Sequence, residues 1–231
     1  MQEFSYSCIN LFGILQKEVC DMEKIEYNLP FQRSKLKDID KSGSVEDIME
    51  TCIHNLITCI GGDPDRPGLQ ETPKRVRKMY QEIFKGMKYT NADIAEMNNK
   101  CFDVDTHDLV VVDNIPIFSM CEHHVAPMVQ MHVSVGYIPN GKVIGLSKIA
   151  RIADLVSKRL QLQERIGAEI ADILSMIVDT DDIIVVIEGE HTCMTMRGVK
   201  KPGTVTRTAT IRGKFEDDHD LRQEFYSLIK Q

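Results

Sequence analysis

The clearest strand pattern in the chain is the run Val129-Gln130-Met131-His132-Val133-Ser134-Val135-Gly136-Tyr137, in which apolar residues alternate with polar or small ones. Successive side chains of a β-strand point to opposite faces, so this alternation is typical of a strand with one buried face. Further strands are predicted on both sides of it, at residues 109–112, 143–144, 182–188, 191–197 and 204–212. The second half of the chain is therefore predicted to form a sheet.

Helical patterns are predicted between these strands and at the end of the chain. The stretches 147–158 and about 162–177 interrupt the strands, and a short helix is predicted near 219–229. In the second stretch the spacing predicts an inward-facing set, namely Ile166, Ile170, Ile173, Leu174 and Ile177. Strands on both sides of a central helix pair indicate an α+β fold.

Two more helices are predicted before the sheet. Ser44-Val45-Glu46-Asp47 resembles a capping box, and the apolar stripe after it consists of Ile48, Cys52, Leu56, Cys59 and Ile60. Thr72 and Pro73 are typical of a helix start, and the buried face predicted there consists of Val76, Met79, Tyr80, Ile83 and Phe84. We therefore divide the chain into an accessory or weakly ordered extension (1–40), a helical part (41–100) and a sheet part (101–231).

Composition excludes several classes of protein. The chain of 231 residues carries 28 Lys and Arg against 35 Asp and Glu, a formal charge of −7, which argues against nucleic acid and against an anionic membrane surface as partners. No apolar run approaches the roughly 18 residues of a membrane span, and the first residues lack a basic signal-peptide region. Seven scattered cysteines do not resemble a disulfide framework, so we expect a reducing, cytoplasmic location.

Cysteine and histidine residues form two candidate metal-binding segments. Cys121-Glu122-His123-His124 places Cys121 and His124 three residues apart, a spacing that can serve zinc but is weak evidence alone. His191-Thr192-Cys193 lies on a predicted strand, whose period places His191 and Cys193 on one face. Cys121, His124 and Cys193 would provide three ligands, as in zinc sites that keep a position for water. His132 is available as a fourth ligand in principle, but we interpret it as an ordinary surface or core histidine.

The remaining histidines and the basic residues suggest what such a site could bind. His123 and His191 adjoin the predicted ligands and are suited to proton transfer. Basic residues cluster in three places, two of them beside helix starts, which suits an oligophosphate, although each cluster alone is more simply a solvated face. The clusters are Lys74, Arg75 and Lys78; Lys148 and Arg151; and Arg197, Lys200 and Lys201. In Gln163-Glu164-Arg165, a buried carboxylate could accept two hydrogens from guanine, or the three residues could simply be helix-start polar groups.

Several ordered blocks closely resemble GTP cyclohydrolase I from about residue 45 to the C-terminus. They are Glu71-Thr72-Pro73-Lys74-Arg75-Val76, Cys121-Glu122-His123-His124, Ile138-Pro139-Asn140-Gly141-Lys142-Val143-Ile144-Gly145-Leu146-Ser147-Lys148-Ile149-Ala150-Arg151, Gln163-Glu164-Arg165 and His191-Thr192-Cys193-Met194-Thr195-Met196-Arg197-Gly198. Leu160 and Met128 stand where the family pattern often has Pro and Phe, which bears only on local packing.

The resemblance implies a T-fold subunit, an antiparallel β-sheet with helices packed on one face and a helical region before it. It also implies a homodecamer with sites between subunits, and the conversion of GTP and water to formate and 7,8-dihydroneopterin triphosphate. By matching position it implies that Zn²⁺ is bound by Cys121, His124 and Cys193. The implied catalytic residues are His123, His191 and Ser147. The implied guanine-binding residues are Gln163 and Glu164, and those lining the triphosphate and ribose are Arg75, Lys78, Ser147, Lys148, Arg151 and Arg197.

Two other functions stay open on the sequence. One is a catalytically silent zinc protein that binds a nucleotide or a partner, and the other is a different pterin or deazapurine enzyme with the T-fold. The sequence does not decide whether the product enters tetrahydrofolate or tetrahydrobiopterin synthesis, or whether a feedback regulatory protein binds.

Overall fold

The computed structural model describes residues 37–40 and 42–229, so the prediction for residues 1–36 lies outside the described residues. The chain separates into two compact units, one ending at Arg77 and the other beginning at Lys78. No helix in the described ranges is both long enough and apolar enough to cross a membrane.

Helix α1, Val45–Cys59, begins as predicted, because the Ser44 side chain accepts a hydrogen bond from the Asp47 backbone N–H at 3.1 Å. Its buried face was predicted wrongly. The buried residues are Ile53, His54, Ile57 and Thr58, whereas Cys52, Leu56, Cys59 and Ile60 are exposed. The centres of the two faces lie about 160° apart around the helix axis, on nearly opposite sides. Apolar spacing alone therefore identified the helix but not the side that is buried within this unit.

Helix α2, Thr72–Ile83, also forms where predicted, but it has no buried residue. The predicted face of Val76, Met79, Tyr80, Ile83 and Phe84 is exposed or only half-buried. A 3₁₀ turn at Lys85–Lys88 and helix α3, Asn91–Asn98, follow. The sequence pattern did not predict α3, because its apolar periodicity is weak and its start depends on a capping box of Thr90 and Asp93.

The other predicted strands and helices form in the predicted order with shifted ends, except that the strand predicted at 191–197 is absent, and several short elements were not predicted. The strands are β1 Cys101–Asp103, β2 Val110–Cys121, β3 Ala126–Tyr137, β4 Lys142–Ile144, β5 Leu160–Gln161, β6 Ile183–His191 and β7 Val205–Ile211. The helices are α4 Leu146–Ser157, α5 Gln163–Val178, α6 Thr192–Thr195, α7 Lys214–Asp217 and α8 His219–Leu228.

Five strands form one sheet in the order β5-β2-β3-β6-β7, and β1 pairs with β4 in a separate two-stranded sheet. All pairs in the larger sheet are antiparallel except the short parallel pair of β5 with β2. Strand β3 contains the alternating run, and its side chains Met131, Val133, Val135 and Tyr137 are buried. The predicted α+β sheet is confirmed.

Helices α4 and α5 pack against one face of this sheet and form the main core. The inward residues predicted for α5 are all buried, none more than 2% exposed: Ile166, Ile170, Ile173, Leu174 and Ile177. A smaller cluster of Ile138, Ile184, Phe215 and Phe225 lies apart from the main core. Gly136 makes room for the ring of Phe225, because a Cβ atom there would lie 2.6 Å from its Cδ2.

Candidate active site

The first site segment is the loop between β2 and β3. Cys121 pairs with Ala126, so the loop consists of residues 122–125, with Cys121 buried at the strand end and His123 and His124 exposed. Val125 has a φ of 48°, a left-handed conformation that is costly for a β-branched residue. Both flanking strands are paired in the sheet and hold this conformation. The candidate metal-binding loop, residues 122–125, is therefore short and constrained.

The second site segment was predicted as a strand over residues 191–197, and this prediction is wrong. Strand β6 ends at His191, and the next four residues form the helical turn α6. Cys193 therefore lies in a helical turn. The alternation of side chains along a strand does not explain why it approaches the loop 122–125. The turn is held by the Thr192 hydroxyl, which donates to the Pro127 carbonyl oxygen at 2.7 Å. This bond connects α6 to the start of β3.

Cys121, His124 and Cys193 converge, and one ligand atom from each lies within 4.8 Å of the others. The pKa of the Cys193 thiol is raised by burial and by the neighbouring Cys121, while Arg197 opposes the shift. A metal ion would favour both thiolates, because the deprotonated sulfur is the ligand form. Two thiols and one imidazole therefore fit a borderline-soft divalent metal. His132 lies outside this group, with its Nδ1 4.0 Å from Glu188 Oε1.

The two unligated histidines have different surroundings. His123 Nδ1 lies 3.9 Å from Cys121 Sγ, and its ring is exposed. His191 is half-buried, and its Nε2 lies 3.0 Å from Gln163 Oε1. Burial lowers the pKa of His191, and the nearby charge of Glu164 opposes this shift. Burial therefore favours the neutral form of the His191 ring, and Glu164 acts against it.

Gln163 holds His191 through a carboxamide that is itself fixed. Its side-chain nitrogen donates to the carbonyl oxygens of Ile187 and Thr206 at 3.1 and 3.0 Å and lies 3.3 Å from the Thr208 hydroxyl. The Gln163 oxygen must then face His191, so the His191 Nε2–H donates to it. Neutral His191 therefore keeps its lone pair on Nδ1.

Of the two interpretations of this segment, the buried carboxylate does not match the single chain, in which Glu164 is exposed. The buried member of the pair is Gln163, at 1% exposure. The two residues are adjacent, about 100° apart around the helix axis, and only Gln163 faces the sheet.

Sequence reasoning missed an ion pair that joins two site segments. Arg165 donates to both carboxylate oxygens of Glu122, with Nη1–Oε2 and Nη2–Oε1 distances of 2.7 and 3.1 Å. The hydrogen bonds from Arg165 lower the pKa of Glu122. The two residues are 43 positions apart in the sequence, so the pair is recognised only from the tertiary structure.

The predicted phosphate-binding residues lie at several places. Ser147 and Arg151 are exposed and Lys148 is half-buried on the first turns of α4; within the described ranges, no hydrogen bond or ion pair joins them to the cysteine cluster. Arg197 is exposed and close enough to Cys193 to affect its pKa. Arg75 and Lys78 are exposed on α2, and their contribution to the site stays a prediction.

Comparison with known proteins now identifies the family. The model of the GTP cyclohydrolase I family matches residues 49–230. The chain belongs to the GTP cyclohydrolase I family. The resemblance read from the cysteine, histidine and glutamine motifs is therefore confirmed, and the fold is the T-fold of this family.

Members of the GTP cyclohydrolase I family from clostridia are close relatives. The GTP cyclohydrolase 1 of Clostridium acetobutylicum is 54% identical over 187 residues, covering 79% of this chain and 96% of the relative. That of Clostridium botulinum strain Hall is 56% identical over 176 residues, covering 74% and 90%. Among solved structures, archaeosine synthase QueF-Like in the apo form aligns with 46% of this chain and 93% of its own, at 16% identity and a TM-score of 0.35.

Proposed function

We propose that this protein is a GTP cyclohydrolase I that converts GTP and water to formate and 7,8-dihydroneopterin triphosphate. The observation that carries the proposal is the convergence of Cys121, His124 and Cys193 beside a histidine held by Gln163. Relatives that share more than half of their residues with this chain are named GTP cyclohydrolase 1, which supports the same conclusion. The product would enter tetrahydrofolate or tetrahydrobiopterin synthesis.

The metal in this proposal is zinc, held by Cys121, His124 and Cys193. Their sulfur and imidazole donors match those of zinc sites with three protein ligands. The chemistry that zinc supplies at such a site is activation of water at neutral pH, here for attack on C8 of guanine.

Glu164 is proposed to select guanine. Its exposed carboxylate can accept the N1–H and the 2-amino group of the base, and adenine cannot make that pair of bonds. The electrostatic effect of Glu164 on His191 indicates that the two groups are close. The base would then be held beside the histidine that acts on it. Gln163, whose carboxamide already bonds to the protein, would support this arrangement through His191.

His191 is proposed to accept a proton at Nδ1 from the water that attacks C8, and to pass it to the imidazole-ring nitrogen of guanine as the C8–N bonds open. Its Nε2–H is bound to Gln163, which leaves Nδ1 as the ring nitrogen that exchanges a proton. His123, exposed beside Cys121, would assist proton movement. Ser147 would handle a proton during the later rearrangement of the opened ribose.

The triphosphate and ribose are proposed to contact residues on three segments: Arg75, Lys78, Ser147, Lys148, Arg151 and Arg197. Exposed cations near the helix start of α4 suit an oligophosphate, despite the net charge of −7. GTP turnover should weaken as salt rises, since ions screen these charges.

The proposed assembly is a homodecamer with sites between subunits. Strand β7 ends the five-stranded sheet, so its outer edge can pair with a strand of another copy. In the single chain, no hydrogen bond or ion pair of the described residues joins the α4 residues Ser147, Lys148 and Arg151 to the metal-binding group, which suits contribution from a neighbouring copy. A feedback regulatory protein and the cytoplasmic location stay predictions.

The test is to incubate the zinc-loaded protein with GTP and to measure formate and the fluorescent oxidised neopterin. His191→Ala and His123→Ala should retain zinc and lose formate release, by about 10²- to 10⁴-fold for His191. His219→Ala, at an exposed histidine outside the site, is the matched control and should behave like the wild type. Zinc binding without formate would indicate a silent nucleotide-binding protein, and turnover of another pterin or deazapurine would indicate a different T-fold enzyme.

A further inference from the structure

The metal-binding loop is attached to the start of α5 at two points. The Glu122 backbone N–H donates to the Gln161 carbonyl oxygen at 3.0 Å, immediately before α5. The Glu122 carboxylate receives both Arg165 bonds, at 2.7 and 3.1 Å, within the first turn of the helix. Glu122 is the residue between the ligand Cys121 and His123. A single residue therefore fixes the loop to the segment that contains Gln163 and Glu164.

This ion pair is partly exposed, yet its two side chains form two hydrogen bonds in a defined orientation. The side chains of Arg165 and Glu122 are 41% and 31% exposed, and ion pairs at such positions usually add little to stability. A two-bond guanidinium–carboxylate pair nevertheless restricts both distance and orientation. Its consequence for the site is positional, because the proposed ligand Cys121 flanks the start of the loop, the proposed ligand His124 lies in it, and the first turn of α5 contains Glu164, the proposed guanine carboxylate.

We propose that Glu122 and Arg165 are positioning residues, whose ion pair sets the metal-binding loop at a defined distance from Glu164. The pair thereby places C8 of the bound guanine next to the metal position. Neither side chain needs to touch the substrate for this role. The inference rests on the proposed function for its kinetic consequence, but its structural consequence concerns the metal site alone.

The experiment is a double-mutant cycle of Glu122→Gln, Arg165→Gln and the double variant. Each protein is loaded with zinc for kinetics with GTP and with Co²⁺ for absorption spectroscopy, since cobalt bands respond to ligand geometry. The control is Asp172→Asn on the same helix, which removes the carboxylate of the 2.7 Å pair between Asp172 and Arg212. Urea denaturation of every variant measures the general cost of losing an ion pair.

We expect each single variant to lose about 10- to 100-fold in kcat with little change in KM for GTP, because substrate contacts stay in place while alignment is lost. The cobalt bands should shift in both single variants and stay unchanged in Asp172→Asn. The double variant should be no worse than the poorer single variant, since both changes remove the same interaction.

Two results would overturn the proposal. One is additive kinetic losses in the cycle, and the other is cobalt spectra identical to those of the wild type in both single variants. If Asp172→Asn lowered kcat as much as Glu122→Gln does, the proposal would also be refuted. Loss of any ion pair on α5 would then lower kcat, and the Glu122–Arg165 pair would have no special role. If the wild type released no formate from GTP, the proposed function would fail, while the cobalt spectra would still decide the role of the pair.

Discussion

The first turn of α5 and the rest of the same helix have opposite surroundings. In the first turn, Gln163 bonds to His191 and to the sheet backbone, Glu164 is exposed, and Arg165 holds Glu122. From Ile166 onward, the inward side chains are apolar and at most 2% exposed. The helix body stabilises the fold by burial, and its first turn uses that rigidity to position polar groups. Changes in the two parts should therefore affect different measurements.

The largest effect is expected from Cys193→Ser at the site. Because a hydroxyl is a poor zinc ligand, affinity for zinc should fall at least about 100-fold and formate release should fall with it. Metal analysis after dialysis measures the first effect, and a formate assay measures the second. Cys59→Ser is the matched control, as this thiol is exposed on α1 and outside the site. Full zinc occupancy in Cys193→Ser would remove Cys193 from the ligand set.

In the helix body, Ile170→Ala should lower the free energy of unfolding by about 2–5 kcal/mol, since it leaves a cavity at a fully buried position. Zinc bound per folded protein should stay unchanged. Urea denaturation and metal analysis test the two statements together. Met176→Ala on the same helix is the control, because that side chain is 59% exposed and should cost little. A loss of zinc from folded Ile170→Ala would show that the two parts of α5 are not separable.

Gln163→Leu tests the boundary between the two parts. The change removes the hydrogen bond to His191 and the two that the side chain donates to the carbonyl oxygens of Ile187 and Thr206. We expect a stability loss of about 1–3 kcal/mol and a fall in kcat, because both regions depend on this side chain. Steady-state kinetics with GTP distinguish a Gln163 that acts through His191 from one that contacts guanine directly. A rise in KM alone would instead support direct contact between Gln163 and guanine.

The smallest effect is expected at Asp182, at the end of β6 opposite His191. Burial raises the pKa of this carboxyl, but the hydrogen bonds and charge of Lys214 outweigh burial and lower the pKa below its ordinary value. The folded state then binds the proton less well than the unfolded state. The carboxylate contributes stability above the unfolded pKa, and this contribution disappears as pH falls through the lowered pKa.

Asp182→Asn should therefore cost about 1 kcal/mol near neutral pH, and the difference from the wild type should shrink between about pH 5 and pH 3. Urea denaturation across that range measures it. Zinc content should not change at any pH where the wild type keeps its metal. If the stability difference between the wild type and Asp182→Asn grew as the pH fell, the assigned lowering of the Asp182 pKa would be contradicted.

Much of the fold followed from local patterns. The alternation in β3 and the spacing in α5 are strong because each element has one continuous buried face. The predictions failed for elements that have no continuous, apolar buried face. Helix α3 is short and begins with a capping box, and the buried face of α1 is shared by His54 and Thr58, which are polar. Period two failed after His191, because a strand and a helical turn can contain the same short polar residues.

The sequence by itself determined the long helices and strands, the three metal-ligand candidates and the family to which the chain belongs. These properties depend on residue type and spacing along the chain, which a sequence displays directly. Only the tertiary structure decided that Gln163 holds His191, that Glu122 pairs with Arg165 and that Cys193 reaches Cys121 from a helical turn. Such contacts join residues 28, 43 and 72 positions apart, and their geometry depends on strand register and packing rather than on any local pattern.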